Sequence, residues 1–243
     1  MNFAFENRTA AGKALADLLR HHTDEADLLV LALPRGGVPV AFEVAQALGA
    51  ELDVMVVRKL GVPGQEELAF GAIASGGIQV LNDDVVAELE LTQEDMAPVV
   101  ERQRHELLRR ERLYRAGRSA PDVKGRTVIL VDDGIATGAT MRAAIRALRE
   151  RKVGRVVVAV PTVALQIARR LEPEVDEWVA ALTPTQFWGV ARWYYDFSQT
   201  TDQEVIALLA HAAQGDRGRS QTPYGPVRNP TRPLKGIAAS RVL

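Results

Sequence analysis

The sequence predicts an α/β fold: a doubly wound, mainly parallel sheet of about five strands flanked by helices, with a flexible lid hairpin and a helical insertion. Three observations predict it. Short runs rich in Val, Leu and Ile recur, helical patterns separate most of them, and glycines stand where two of those helices should end. The apolar runs fall at residues 28–33, 52–57, 127–131, 156–160 and 177–182. Apolarity that is continuous over about 5 residues, rather than alternating, is what strands buried on both faces of a parallel sheet show. Helical periodicity occupies residues 38–48, 140–151 and 164–171, with Gly49 and Gly154 as the expected C-caps.

The first twenty residues read as an amphipathic helix, because Asn7, Arg8, Lys13 and Asp17 break any signal-like apolar run. Residues 60–77 are rich in Gly and small side chains and fit either a flexible loop or a surface hairpin. The hairpin would pair residues 70–73 with 78–81 and turn at Ser75-Gly76-Gly77. Residues 83–118 form a polar helical insertion. There Thr92 and Asp95 resemble a capping box, and Leu107, Leu108 and Leu113 mark an apolar stripe. Its arginines alternate with Glu101, Glu106 and Glu111, which fits a solvated helix packed on the sheet or on a second subunit better than a nucleic-acid arm.

Of 243 residues, 47% are hydrophobic and 25% charged, enough for one substantial core. We expect one domain over residues 1–214. From residue 215 to 243 the composition turns to Gly, Pro, Ser and Arg, a disordered tail by composition. A formal charge of -1 argues against nucleic acid as a partner. The absence of cysteine removes disulfides, thiolate metal sites and a Cys nucleophile, and suits a cytoplasmic setting. The apolar runs are far shorter than the roughly 20 residues that cross a bilayer, so no membrane role is expected. His21, His22, His105 and His211 show no metal-binding spacing.

The chemistry concentrates after the third apolar run. Val128-Ile129-Leu130-Val131 leads into Asp132-Asp133-Gly134-Ile135-Ala136-Thr137-Gly138-Ala139-Thr140, and a helix follows. That order puts two carboxylates at the carboxyl end of a parallel strand, where open α/β sheets bind ligands. Small residues let successive backbone N–H groups converge on one anion, Thr137 and Thr140 add hydroxyls, and the helix dipole favours a phosphate. Ionised Asp132 and Asp133 accept hydrogen bonds only, which suits vicinal hydroxyls. A phosphate cup beside a diol acceptor describes a ribose 5-phosphate. A Walker A loop fits poorly, since no Gly-Lys-Ser/Thr triplet follows.

These thirteen residues resemble the 5-phosphoribosyl-1-pyrophosphate (PRPP) signature of type I phosphoribosyltransferases. Two more segments match the same family. Leu33-Pro34-Arg35-Gly36-Gly37 resembles its pyrophosphate loop, which often holds a non-proline cis peptide. Val56-Val57-Arg58-Lys59 resembles a strand end that offers two cations to pyrophosphate. The resemblance extends over roughly residues 3–210. Phe5-Glu6-Asn7-Arg8 and Trp193-Tyr194-Tyr195-Asp196-Phe197-Ser198-Gln199, with Asp202-Gln203-Glu204-Val205, are similar to a predicted phosphoribosyltransferase branch of unknown acceptor.

The resemblance implies PRPP as co-substrate and Mg2+ as cofactor, held by Asp132 and Asp133 directly or through water. It implies catalysis by Arg35, Arg58, Lys59, Asp132 and Asp133. Donor binding would involve Gly36, Gly37, Gly134, Ala136, Thr137, Gly138, Ala139 and Thr140 as well. The acceptor would be a nucleobase or a similar nitrogen compound, and the assembly a homo-oligomer such as a dimer. Purine 6-oxo enzymes of the family carry Asp where this chain has Ala136, which argues against hypoxanthine or guanine. Phe187, Trp188, Trp193, Tyr194 and Tyr195 offer rings for a base, though such clusters fill cores more often. The alternative function is a regulatory module that binds PRPP without transferring it.

Overall fold

Residues 5–23 and 25–219 are described by the structure, a computed structural model. Its centre is a five-stranded parallel sheet of β1 (Leu28–Ala32), β2 (Glu51–Val54), β6 (Thr127–Val131), β7 (Arg155–Thr162) and β8 (Glu177–Leu182), in the order β2-β1-β6-β7-β8. The continuous apolar runs have a two-sided cause, because alternate side chains enter different cores. Val30, Ala32, Ile129, Val131, Val157 and Ala159 face one cluster, and Leu29, Leu31, Val128, Leu130, Val156 and Val158 face the other. The first cluster is closed by α1 (Arg8–Leu18), α2 (Gly37–Leu48), α4 (Gln93–Arg115) and α7 (Asp202–Arg219). The second is closed by α5 (Ala139–Glu150) and α6 (Leu165–Leu171).

A separate antiparallel sheet contains β3 (Val57–Val62), β4 (Gln65–Ala74) and β5 (Ile78–Leu81). The hairpin expected at residues 70–81 forms, but its first strand pairs one residue further along than expected, with Gly71 opposite Leu81 and Ala74 opposite Ile78. Of the two readings of residues 60–77 the hairpin is the one that forms, and residues 57–62 also pair with β4, making a second hairpin that turns at Pro63-Gly64. Leu60, Val62, Phe70 and Ile73 bury the root of this ribbon in the first core, and only residues 63–68 stand exposed at its tip. Arg58 and Lys59 consequently do not end the second strand. β2 stops at Val54, and both cations belong to β3.

The insertion consists of α3 (Asp83–Glu88) and α4, whose start is fixed by the reciprocal Thr92–Asp95 capping box. The apolar stripe of α4 is Met96, Val99, Leu107 and Tyr114, while Leu108 is 40% exposed and lies off it. Steps of three to four residues, not the run of leucines, decide which face is buried. At the end of α4 Arg115 reaches into the core, where Nε bonds Asp53 Oδ2 at 2.8 Å and Nη2 bonds the Val54 carbonyl at 3.0 Å.

Gly49 caps α2 in the left-handed conformation, as expected. Gly154 does not cap α5. The helix ends at Glu150, Lys152 takes the positive φ, and a Cβ at residue 154 would overlap the Gly125 carbonyl oxygen. Close approach of two backbones explains this glycine. α7 continues to Arg219, past the expected domain end at 214, and residues 220–243 lie outside the described residues. No helix among the described residues is long and apolar enough to cross a membrane.

Candidate active site

The sheet order places a topological switch point between β1 and β6. From β1 the chain proceeds to β2 on one side, and from β6 to β7 on the other. Ligands of open α/β sheets sit in the crevice beyond the carboxyl ends of such a pair. The two strands end in Pro34-Arg35-Gly36-Gly37 and in Asp132-Asp133, so two of the three expected segments meet there. The Pro34–Arg35 peptide is cis, as the resemblance implied. Only glycine fits at 36, because a Cβ would overlap Asp133 Oδ2.

Asp133 is already engaged. Arg8, at the start of α1, bonds its Oδ2 through Nε at 2.8 Å and Nη2 at 2.7 Å. The same guanidinium donates to the Ser198 carbonyl at 2.7 Å and lies 4.0 Å from the centre of the Phe197 ring. Tyr194 donates to the Asp133 carbonyl at 2.6 Å. Asp132 Oδ1 accepts the Asp133 N–H at 2.9 Å. Burial pushes both carboxyls above the usual carboxylate range, and the Asp133 charge pushes Asp132 further. Arg8 draws Asp133 back towards ionisation. The adjacent carboxylates titrate as a pair in which Asp133 holds the charge more firmly.

Beyond the acid pair, Gly138 takes φ +81° and opens α5, directing the helix N-terminus into a cleft of about 230 Å³. Thr137, Gly138, Ala139 and Thr140 line one side and Lys59 of β3 the other, with Arg146 and Arg170 completing a cationic rim. Arg58 points elsewhere. Its Nε donates to Gln103 Oε1 at 2.9 Å, and burial against α4 with Arg110 nearby lowers its pKa. Arg35 remains one-third exposed at the crevice, 3.9 Å from Asp202.

The structure brings Asp132, Asp133, Arg35, Gly36 and Gly37 together in one crevice and sets Thr137 to Thr140 in the adjoining cleft. The sequence did not separate Arg58 from Lys59, and it gave no site role to Arg8, Arg146 or Arg170. Arg146 lies two turns into the helix after the signature, a position readable from sequence, whereas nothing local links Arg8 to a carboxylate 125 residues away. Of the aromatic residues, Tyr194 is buried while Trp188 and Tyr195 are 81% and 78% exposed. Their segment crosses the acid turn, since Val190 packs against Gly134.

A parallel sheet with an acid pair and a small-residue strand-to-helix turn at its switch point defines an open α/β fold of the doubly wound class. Comparison with known proteins gives the family: residues 4–197 match the phosphoribosyl transferase domain, and the chain belongs to that family. It is 49% identical over 208 residues to two Mycobacterium tuberculosis proteins, from strains CDC 1551 and H37Rv, each described as a "putative phosphoribosyl transferase". The matches cover 86% of this chain and 47% of each relative, so the chain spans about half the length of these curated relatives. It is also similar to the crystal structure of TT1426 from Thermus thermophilus. That match has 42% identity and a TM-score of 0.76, covering 86% of this chain and 98% of that one.

Proposed function

We propose that the chain binds PRPP with Mg2+ and transfers its phosphoribosyl group to a nitrogen acceptor of nucleobase type, releasing pyrophosphate. The supporting observation is the convergence of the acid pair, the Pro34–Arg35 loop and the Thr137–Thr140 cleft around one switch point. Asp132 fits a hydroxyl pair or a divalent cation. It is desolvated, pressed by a second carboxylate, and has one oxygen taken by a backbone N–H. Asp132 and Asp133 would hold Mg2+, directly or through water, and the cation would supply charge neutralisation for the leaving pyrophosphate.

The chain's own residues then divide the work. The α5 N-terminus, Thr137 and Thr140 hold the 5-phosphate, and Lys59 and Arg146 close around it electrostatically. Asp132 positions the ribose hydroxyls, while Arg8 fixes Asp133 and the turn that carries both. As the anomeric C–O bond breaks, negative charge grows on the leaving group beside the 34–37 loop, where Arg35 and the backbone N–H groups stabilise it. The segment carrying Trp188 and Tyr195 crosses the acid turn and offers the acceptor a stacking surface. Pyrophosphate release from PRPP with Mg2+ across a panel of nucleobases tests this reading. Release stimulated by one base supports transfer. Tight PRPP binding with no release for any base leaves a non-catalytic binding module instead.

A further inference from the structure

At the opposite edge of the sheet, where the strands begin, lies a cluster that the transfer reaction does not use. The 3-10 turn Arg20–His22 that follows α1 brings His21 and His22 against Glu177, the first residue of β8. His21 Nε2 lies 2.8 Å from Glu177 Oε1, and His22 Nε2 lies 3.2 Å from Oε2. One atom from each of the three residues falls within 4.8 Å of the others. His22 is 1% exposed, and among the described residues its Nε2 makes no hydrogen bond, its approach to Glu177 Oε2 being a contact at 3.2 Å and not an aligned bond. A buried polar nitrogen without a partner requires a reason.

The other face of the same ring supplies one. His22 Nδ1 meets Glu25 Oε2 at 2.5 Å, and Thr127 donates to the other Glu25 oxygen. A carboxylate on one imidazole nitrogen fixes the tautomer that leaves the second nitrogen free to bind metal, the usual outer-shell arrangement of metal-bound histidine. Two imidazoles and a carboxylate suit Zn2+ far better than Mg2+, which prefers oxygen ligands and keeps its waters. Arg155 also contacts Glu177 Oε2 at 2.7 Å with its side chain 43% exposed, so zinc binding requires this guanidinium to swing out towards solvent.

The geometry points to a structural Zn2+ site formed by His21, His22 and Glu177, with Glu25 as a positioning residue and water completing the coordination. Such a site clamps the end of α1 to the edge strand β8. The start of α1 carries Arg8, so the clamp secures the helix whose other end holds the acid turn. It does not depend on the proposed transfer activity.

The test is Zn2+ titration of the chelator-treated full chain by calorimetry, with thermal melting in parallel. We expect one Zn2+ per chain and a melting temperature raised by about 5–11 °C at a hundredfold excess over Kd. Excess Mg2+ should not compete. His21→Ala and Glu177→Gln should weaken Zn2+ binding at least tenfold, and Glu25→Gln by about 10–100-fold. His105→Ala, an exposed control on α4, should change nothing. His21 is 55% exposed, so its variant should fold even if His22→Ala does not. No stoichiometric Zn2+ on the wild type, or equal affinity in folded His21→Ala and Glu177→Gln, would show a hydrogen-bonded cluster only and overturn the assignment.

Discussion

Replacing Arg8 with Met keeps the side-chain stem and removes the charge that Asp133 faces at 2.7 and 2.8 Å. Both side chains are largely out of water, 11% and 14% exposed. Breaking a buried ion pair from one side costs about 3–5 kcal/mol, and the lower end applies because Asp133 can take up a proton instead. A loss of about 3 kcal/mol in a protein of this size lowers Tm by about 6–12 °C.

The loss should also depend on pH. Both carboxyls already have raised pKa values in the folded state. Between the unfolded value of about 3.9 and the raised folded value the native protein binds more protons, so its stability falls as pH rises through that window. Without Arg8 the Asp133 value rises again and the window widens. Urea unfolding of Arg8→Met and wild type at pH 5 and pH 8 should therefore give a larger deficit at pH 8. Equal deficits, a larger one at pH 5, or none at all would refute the reasoning.

Other substitutions should separate the two halves of the site. Thr137→Ala and Thr140→Ala should each weaken PRPP and a nucleoside 5-monophosphate by about tenfold while sparing free pyrophosphate, as calorimetry would show. Lys59→Ala should behave like the threonine variants, because Lys59 lines their cleft, whereas Arg58→Ala, turned towards Gln103, should alter all three affinities less than about twofold. Loss of pyrophosphate binding alone in Lys59→Ala would contradict this division. Arg115→Met leaves Asp53 buried and unpaired, and should cost about 3–5 kcal/mol in urea unfolding without changing m. A cost below about 1 kcal/mol would show that the core relaxes around Asp53.

The parallel sheet was legible because burial on both faces writes continuous apolar runs into the sequence. The strand-to-helix turn after Asp132-Asp133 was legible because one segment carries strand, acids, small residues and helix in order. What stayed hidden depends on distance along the chain or on register. Nothing near residue 8 announces a partner at residue 133. Arg58 and Lys59 looked equivalent until strand pairing sent them to opposite faces of β3, since neighbouring residues on a strand point in opposite directions. The run 52–57 concealed a break at Met55-Val56, where the chain leaves one sheet and enters another with no polar residue to mark it. Gly154 was misread because a glycine three residues past a helix looks like a cap, although here its role is contact with Gly125. His21 and His22 have no metal-like spacing between them and gain a third ligand only when β8 is laid beside the turn.

The central claim is that the Asp132-Asp133 turn and the loop after it form a PRPP site, and calorimetric titration of PRPP with Mg2+ tests it most directly. The account predicts saturable binding of one PRPP per chain. It also predicts at least tenfold weaker binding in folded Asp132→Asn with Asp133→Asn, because charge-assisted hydrogen bonds contribute roughly 1.5–3 kcal/mol each. Wild type that binds no PRPP, or a folded double variant that binds it as tightly as wild type, would contradict the account.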